Sequence, residues 1–368
     1  MLSAEPLLIR AAEWNRLCSE AEAAAQELFA VESEIAADKN LLELIGTPRN
    51  LWDFLAADQF SNRLRTLRFD FHPTETGWTL SEVNSDVPGG FGEASFLPSH
   101  YRNYVTEGSL PADPLSVWGD AVQSELSGGK VALLYAPGFL EDEQVVRVLA
   151  RQLMNRGLES YLIQSPSALE WRHGYASLRI DNRAKIEAVI RFYQVEWLSQ
   201  LPKRAGWENL LKPGRHTRVI NPTISAISES KRLELCLERV TAKSTTFQNL
   251  SPECREPHEI EGLPRADWVL KATYSNTGDA VHLGGDMTFE NWSRLLRTAK
   301  RDPRGWVAQR RFETLALQST AGLVKPCVGV FVIGGRAAGA YVRLSRTQVT
   351  NAYALEAPLF IMMPEENQ

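Results

Sequence analysis

The chain has 368 residues, 44% hydrophobic and 23% charged, an ordinary globular composition long enough for two or three domains. Its net charge is −5 and its pI is near 5.8. No basic block stands out, which argues against a nucleic-acid partner. No apolar run reaches membrane-spanning length, and the opening Met1-Leu2-Ser3-Ala4-Glu5-Pro6 lacks the basic and apolar regions of a secretory signal.

The four cysteines (Cys18, Cys236, Cys254, Cys327) stand far apart without CxxC spacing, which fits free thiols in a reducing cytoplasm. The six histidines are scattered, with no HExxH, so zinc chemistry has no support.

Residues 11–37 predict a helix, because Trp14, Leu17, Ala21, Ala24, Leu28, Val31 and Ile35 recur at spacings of three and four. Residues 50–66 predict a second, with Trp52, Phe54, Leu55 and Phe60 on its apolar side. Two short strands follow, Leu67-Arg68-Phe69-Asp70-Phe71 and Ser81-Glu82-Val83-Asn84, the latter running into Ser85-Asp86-Val87-Pro88-Gly89-Gly90. Alternate residues of a strand share a face, so Arg68 goes with Asp70 and Glu82 with Asn84. Paired with those faces aligned, the strands bring together two carboxylates, an amide oxygen and a guanidinium. Such a set suits a hard cation such as Mg²⁺ and a phosphate-bearing ligand. The plain alternative is the wet face of a hairpin. The metal reading expects Asp70 and Glu82 both to be surface-accessible. Residues 85–98 read as a glycine-rich loop leading into a helix.

Residues 130–164 form a βαβ pattern. Val131 to Tyr135 is a continuous apolar strand, and residues 141–156 a helix stopped by Gly157. Strands at 161–163 and 186–192 follow. The turn after the first strand is Ala136-Pro137-Gly138 rather than GxGxxG, so this is a Rossmann-like layer without a dinucleotide fingerprint. Lys212-Pro213-Gly214 marks a change of composition and a plausible hinge. Beyond it lie strand 216–220, helix 230–239, strand 267–272, helix 288–301 and strands 305–312, 327–333 and 337–345. That order predicts an α+β unit with a largely antiparallel sheet.

The second half carries further candidates. Lys271 ends an apolar strand beside the small, polar loop 272–279 containing Gly278, an arrangement that can hold nucleotide phosphates. The alternative is a solvated strand-end lysine. Lys231 opens a helix and would ordinarily read as surface charge. Residues 306–313 alternate apolar and polar, as an edge strand reading an adenine through Gln309 or merely an amphipathic one. Gly334-Gly335 marks a tight hairpin turn. Arg343 then falls inside a sheet, where an arginine needs an anionic partner.

In this order the motifs resemble the circularly permuted ATP-grasp domain of glutathionylspermidine synthases and their relatives. The family pattern R-x-D-F, a short turn, then E-x-N-x-D-x-P is met by Arg68, Asp70, Phe71, Glu82, Asn84, Asp86 and Pro88. Lys271 and Gly278 are similar to its strand-end lysine and glycine loop. Ser230-Lys231 is similar to its helix start, and Gln309 to the glutamine of its I-x-Q strand. Gly329, Gly334, Gly335, Arg343 and Thr350 match its closing hairpin. The match spans residues 45–360.

The resemblance implies an α/β (α+β) fold with a Rossmann-like pre-ATP-grasp domain and an ATP-grasp domain with a largely antiparallel sheet. Residues 1–125 would give helices and the metal-site hairpin, 126–212 the Rossmann-like domain, and 213–368 the nucleotide-binding region. Asp70, Glu82 and Asn84 would hold two Mg²⁺ ions, and Arg68 and Arg343 would steady an acyl phosphate. Lys231, Lys271 and the Gly278 loop would hold the phosphates of ATP, with Gln309 near the adenine. The implied activity is a cytoplasmic, ATP- and Mg²⁺-dependent carboxylate–amine ligase. Its substrates would be small molecules, a peptide or polyamine among them, with no nucleic acid or membrane partner.

The chain departs from the pattern at Ser275-Asn276-Thr277-Gly278, which lacks the family's arginine and glutamate, and at Pro358-Leu359, where a histidine is expected. The altered 272–279 loop favours the alternative of a catalytically degenerate nucleotide-binding protein, and the retained Asp70, Glu82 and Asn84 argue against it. A two-carboxylate hydrolase using Asp70 and Glu82 leaves Lys271, Gln309 and Arg343 without a role.

Overall fold

A computed structural model describes residues 1–55, 64–105, 107–126, 128–212, 215–275, 278 and 280–363. The long helix Ala11–Ala37 forms where its apolar stripe requires it, with Leu17, Ala21, Ala24, Leu28, Val31 and Ile35 fully buried. Of the second expected helix, the described residues show the short turn Arg49–Leu51 and the helix Trp52–Leu55. Phe60 lies outside them.

The strands Thr66–Thr74 and Gly77–Asn84 pair as the first hairpin. On its other edge Thr66–Thr74 pairs with Gly322–Ile333, which forms a second hairpin with Arg336–Ser345, and Leu355–Ala357 closes that side. Hairpins from opposite ends of the chain therefore lie side by side in one antiparallel sheet. Its two faces differ in chemistry. Leu67, Phe69, Phe71, Val328, Val330, Val332, Val342 and Leu344 join the long helix in one apolar core. Arg68, Asp70, Gly329, Tyr341 and Arg343, at the alternate positions, take the other face.

The Rossmann-like layer has its expected parallel strands but also takes Arg218–Ile220, a strand expected beyond the hinge in the separate α+β unit. Glu159–Ile163, Lys130–Tyr135, Asp181–Phe192 and Arg218–Ile220 run parallel in that spatial order, with Leu140–Met154 as the connecting helix. The hairpin Leu169–Arg172 and Tyr175–Leu178 extends it antiparallel onto the first half of Asp181–Phe192. Of the expected hinge, Pro213 and Gly214 lie outside the described residues.

A third sheet places Cys254–Arg255, Trp306–Arg310, Trp268–Ala272 and Val281–Leu283 in antiparallel order. The helix Phe289–Arg301 packs on one side, burying Trp268, Leu270, Trp292, Leu296 and Ala308. Three expectations need correction. Residues 85–98 are not all loop, because the helix Phe91–Tyr101 begins directly after Gly90 in its left-handed conformation. Residues 230–239 do not form one helix but contain only Glu234–Leu237, after Ser225–Glu229. Residues 306–310 are not an edge strand, because Cys254 pairs with Gln309 and Arg255 with Ala308.

A buried ion pair joins the first hairpin to the Rossmann-like sheet. Arg191 and Asp86 are fully buried and bonded to each other. Arg191 Nη1 also donates to Tyr193 O at 2.6 Å. The backbone amide of Val195 donates to Asp86 Oδ2 at 2.7 Å, and the Ser225 hydroxyl to Oδ1 at 2.6 Å. Asp86, part of the motif that followed Glu82 and Asn84, is thus an anchor rather than a cleft ligand. No helix among the described residues is long and apolar enough to cross a membrane.

Arg191→Met strands the Asp86 carboxylate without its countercharge. The expected loss is about 3–5 kcal/mol of folding stability, measured by urea unfolding. Adding Asp86→Asn should restore part of it. An unchanged midpoint in the single variant would show that the pair does not anchor the hairpin.

Candidate active site

A cleft of about 380 Å³ lies between the polar face of the hairpin sheet and the third sheet. Arg68, Glu82, Asn84, Lys231, Lys271, Gly278, Gln309 and Arg343 all line it. Asp70 alone of the candidate residues does not. It was expected to be an accessible ligand, and it is instead 1% exposed behind the cleft wall.

The reason is charge pairing. Arg68 donates from Nε to Asp70 Oδ1 at 2.8 Å and from Nη2 to Oδ2 at 2.9 Å. Arg343 Nη2 donates to the same Oδ2 at 2.7 Å, and Asn84 Nδ2 at 3.2 Å. Burial alone would raise the Asp70 carboxyl, but Arg68 and Arg343 outweigh it and hold the group well below the usual carboxylate range. Arg343 Nε is buried without a hydrogen-bond partner.

The strand register accounts for this geometry. Asp70 stands opposite Glu82 and Arg68 opposite Asn84, with the irregularity falling just beyond, at Ser81. On its other side Asp70 faces Gly329. A Cβ at Gly329 would lie 2.8 Å from both Arg68 Cδ and Asp70 Oδ1, so only glycine leaves room for the pair.

The third sheet supplies the opposite wall. Val269, Leu283 and Gln309 form one cross-strand row, with Lys271 and Val281 beside it, and all five line the cleft. Lys271 is 7% exposed and donates to Ser81 O at 3.3 Å. That excludes the solvated-surface reading. Burial holds its pKa below the ordinary lysine value despite Glu82. Lys231 Nζ donates to Ser275 O at 2.7 Å and lies 3.4 Å from Glu82 Oε2. Burial raises the Glu82 carboxyl, yet Lys231, Lys271 and Arg343 bring it below the usual range. Gly278, at φ 72, would bring a Cβ within 2.8 Å of Thr350 O, so Gly278 itself sits against the 349–350 segment.

Several lining residues were not read from the sequence. His72 lies against Phe312 at 5.3 Å between ring centroids, and burial pushes its pKa down to about 4. Arg311 lines the same wall with its Nε buried and unpartnered. Tyr341 lies beside both Arg68 and Arg343. At the Rossmann-like side, Phe139 and Trp197 meet at 5.0 Å beside Asp142. Period-two alternation continued one step past Asp70 would have reached His72. The others come from connections that only the fold brings together.

Among the described residues, no three His, Cys, Asp or Glu side chains converge as a cation site. Mg²⁺ bound largely through phosphates and water needs only one or two protein carboxylates. The Glu82 carboxylate and Asn84 amide, adjacent on the wall, fit that smaller demand.

The sequence profile described as "Glutathionylspermidine synthase preATP-grasp" matches residues 6–362. The chain belongs to this family. Among solved structures, D-alanyl-alanine synthetase A from Vibrio cholerae is similar at 9% identity and a TM-score of 0.35, over 64% of this chain and 88% of that one. No curated protein matches the sequence.

Gly329→Ala forces its Cβ into the Arg68–Asp70 pair. The expected cost is about 1–3 kcal/mol, read as a lower urea midpoint. Gly89→Ala, whose Cβ meets nothing within 4 Å, should stay within about 0.5 kcal/mol of the parent. Equal stability of the two variants would show that the notch is not needed.

Proposed function

We propose that this protein is an ATP- and Mg²⁺-dependent carboxylate–amine ligase that forms an amide bond through an acyl phosphate. One observation carries the reading: the buried Lys271, the half-buried Lys231, two arginines, Glu82, Asn84 and an apolar row ending in Gln309 face one cleft. A triphosphate is the ligand whose charge answers four cations at one end and an apolar row at the other. A family match that covers nearly the whole chain supports the reading.

In this proposal the carboxylate of one substrate attacks the γ-phosphorus of ATP. The bond to the β,γ-bridging oxygen breaks, giving an acyl phosphate and ADP. The amine then attacks the acyl carbon, phosphate departs, and the nitrogen loses a proton. Both steps bring anionic or electron-rich groups together, so positive charge must already be in place. Lys231 and Lys271 bind the phosphates, and Gln309 with Val269 and Leu283 receives the base. Arg68 and Arg343 face the transferred phosphoryl group. Glu82 and Asn84 would hold Mg²⁺, which when bound supplies charge neutralisation on the phosphate oxygens. Asp70 serves the site by fixing both arginines. We further propose that residues 1–125 and 213–368 together build the permuted nucleotide-binding unit around the 126–212 domain, except for Arg218–Ile220, which pairs in the sheet of that domain, and that the substrates are a small carboxylate and an amine, with a peptide or polyamine fitting that description.

Two alternatives fare differently. The hydrolase reading needs Asp70 as an acid or base at a substrate, whereas Asp70 is buried and bound to two guanidiniums. A catalytically degenerate nucleotide-binding protein shares the same cleft, and only turnover separates it from a ligase.

The test is ADP release with pooled peptides, amino acids and polyamines, with mass spectrometry of the product. The expected result is ATP-dependent amide formation that stops when EDTA removes Mg²⁺. Lys271→Ala should weaken nucleotide binding by about 1–3 kcal/mol in a calorimetric titration. Nucleotide binding without turnover on any substrate pair would support the degenerate alternative.

A further inference from the structure

Asp70, Gly329 and Tyr341 stand side by side on three neighbouring strands, because Gly329 is in register with both of the others. Arg68 Cδ and Asp70 Oδ1 fill the space where Gly329 lacks a side chain. Arg68 thereby crosses the middle strand and brings its Cζ to 5.3 Å from the Tyr341 ring centroid. Arg343, two residues beyond Tyr341 on the same face, brings its Cζ to 5.4 Å from the same ring.

The ring is itself fixed. Gly90, at φ 86, backs onto it so closely that a Cβ there would lie 2.6 Å from the ring carbons. The Tyr341 hydroxyl donates to Glu356 Oε1 at 2.9 Å, and Glu356 stands opposite Arg343 on the next strand. Two guanidiniums sharing the single Asp70 carboxylate repel each other, and burial strengthens that repulsion. An aromatic face attracts each cation through its quadrupole without contributing a formal charge.

We infer that Tyr341 is a positioning residue. With Asp70 it fixes both Arg68 and Arg343, which line the cleft. A carboxylate in its place would neutralise the arginines, and an aliphatic residue would leave them free to swing apart. The catalytic part of this inference rests on the ligase reading. The positioning part is measurable without turnover.

The test compares Tyr341→Phe, Tyr341→Leu and a Tyr341→pentafluorophenylalanine substitution, which keeps the ring's shape and reverses its quadrupole. The first readout is the Nε–Hε resonances of Arg68 and Arg343 in ¹⁵N-labelled protein, assigned with Arg68→Lys and Arg343→Lys. The expected result is two sharp signals in the parent and Tyr341→Phe, and broadened or missing signals in the other two. The second readout is turnover against affinity for a non-hydrolysable ATP analogue. Tyr341→Leu and the fluorinated variant should lose about tenfold in kcat while nucleotide affinity changes little, since fixed arginines act mainly in the transition state. Tyr341→Phe should retain most of its turnover.

If Tyr341→Leu fails to fold, the fluorinated variant decides by itself, because it preserves packing. Sharp arginine signals in the fluorinated variant would overturn the inference. So would a Tyr341→Phe defect as large as that of Tyr341→Leu, which would place the role in the hydroxyl–Glu356 bond. If the parent protein turns over no ATP, the ligase reading fails, and the arginine signals alone decide whether Tyr341 positions the pair.

Discussion

The buried Asp70 carboxylate, shared by two guanidiniums, is the constraint on which the site depends. An ionised group at 1% exposure persists only with close countercharge and satisfied oxygens. Arg68 supplies part of that from the same strand, and Arg343 from a strand more than two hundred residues later. The first hairpin must therefore lie next to the last one in the central sheet. Gly329 is the residue between them because any side chain there would occupy the space the pair needs. Sheet order, a glycine and two arginine orientations thus follow from the burial of one charge.

A second set of charges crosses the cleft. Lys231 lies 3.4 Å from Glu82, and Lys271 donates to the backbone of Ser81 beside it. Both contacts join the third sheet and its neighbouring loop to the first hairpin. On these two walls Arg68, Arg343, Lys231 and Lys271 face Glu82 and the buried Asp70, while Glu141, Asp142 and Glu229 line the cleft elsewhere. Further out, the Asp86–Arg191 pair fixes the end of that hairpin to the Rossmann-like sheet. The motif from Arg68 to Asp86 accordingly serves two purposes: its first four polar members build the site, and its last holds the site to the rest of the fold.

Much of this was legible in the sequence because period-two alternation is a strong signal. It put Arg68 with Asp70 and Glu82 with Asn84 on shared faces, and the register does the same. The long helix at 11–37 matched its apolar spacing to the residue. Alternation assigns a face but not its depth, and Asp70 was read as accessible for that reason. Its burial depends on Arg343 and Gly329, which sequence distance hides. Of the two readings of 306–313, the edge strand failed because its covering partner, Cys254–Arg255, is two residues long and has no period of its own. The helix expected after the glycine-rich loop was placed too late, because Gly90, whose role is a left-handed start and a close approach to Tyr341, reads as loop. Tyr341 itself reads as one more aromatic in a strand until the arginines on either side of it are placed.

The most direct measurement is a crystal structure of the protein with Mg²⁺ and a non-hydrolysable ATP analogue. The expected result is a triphosphate between Lys231, Lys271 and Arg343, a metal against Glu82 and Asn84, the base beside Gln309, and Asp70 still bound to both arginines. A nucleotide bound outside this cleft, or no nucleotide at saturating concentration, would contradict the proposed site.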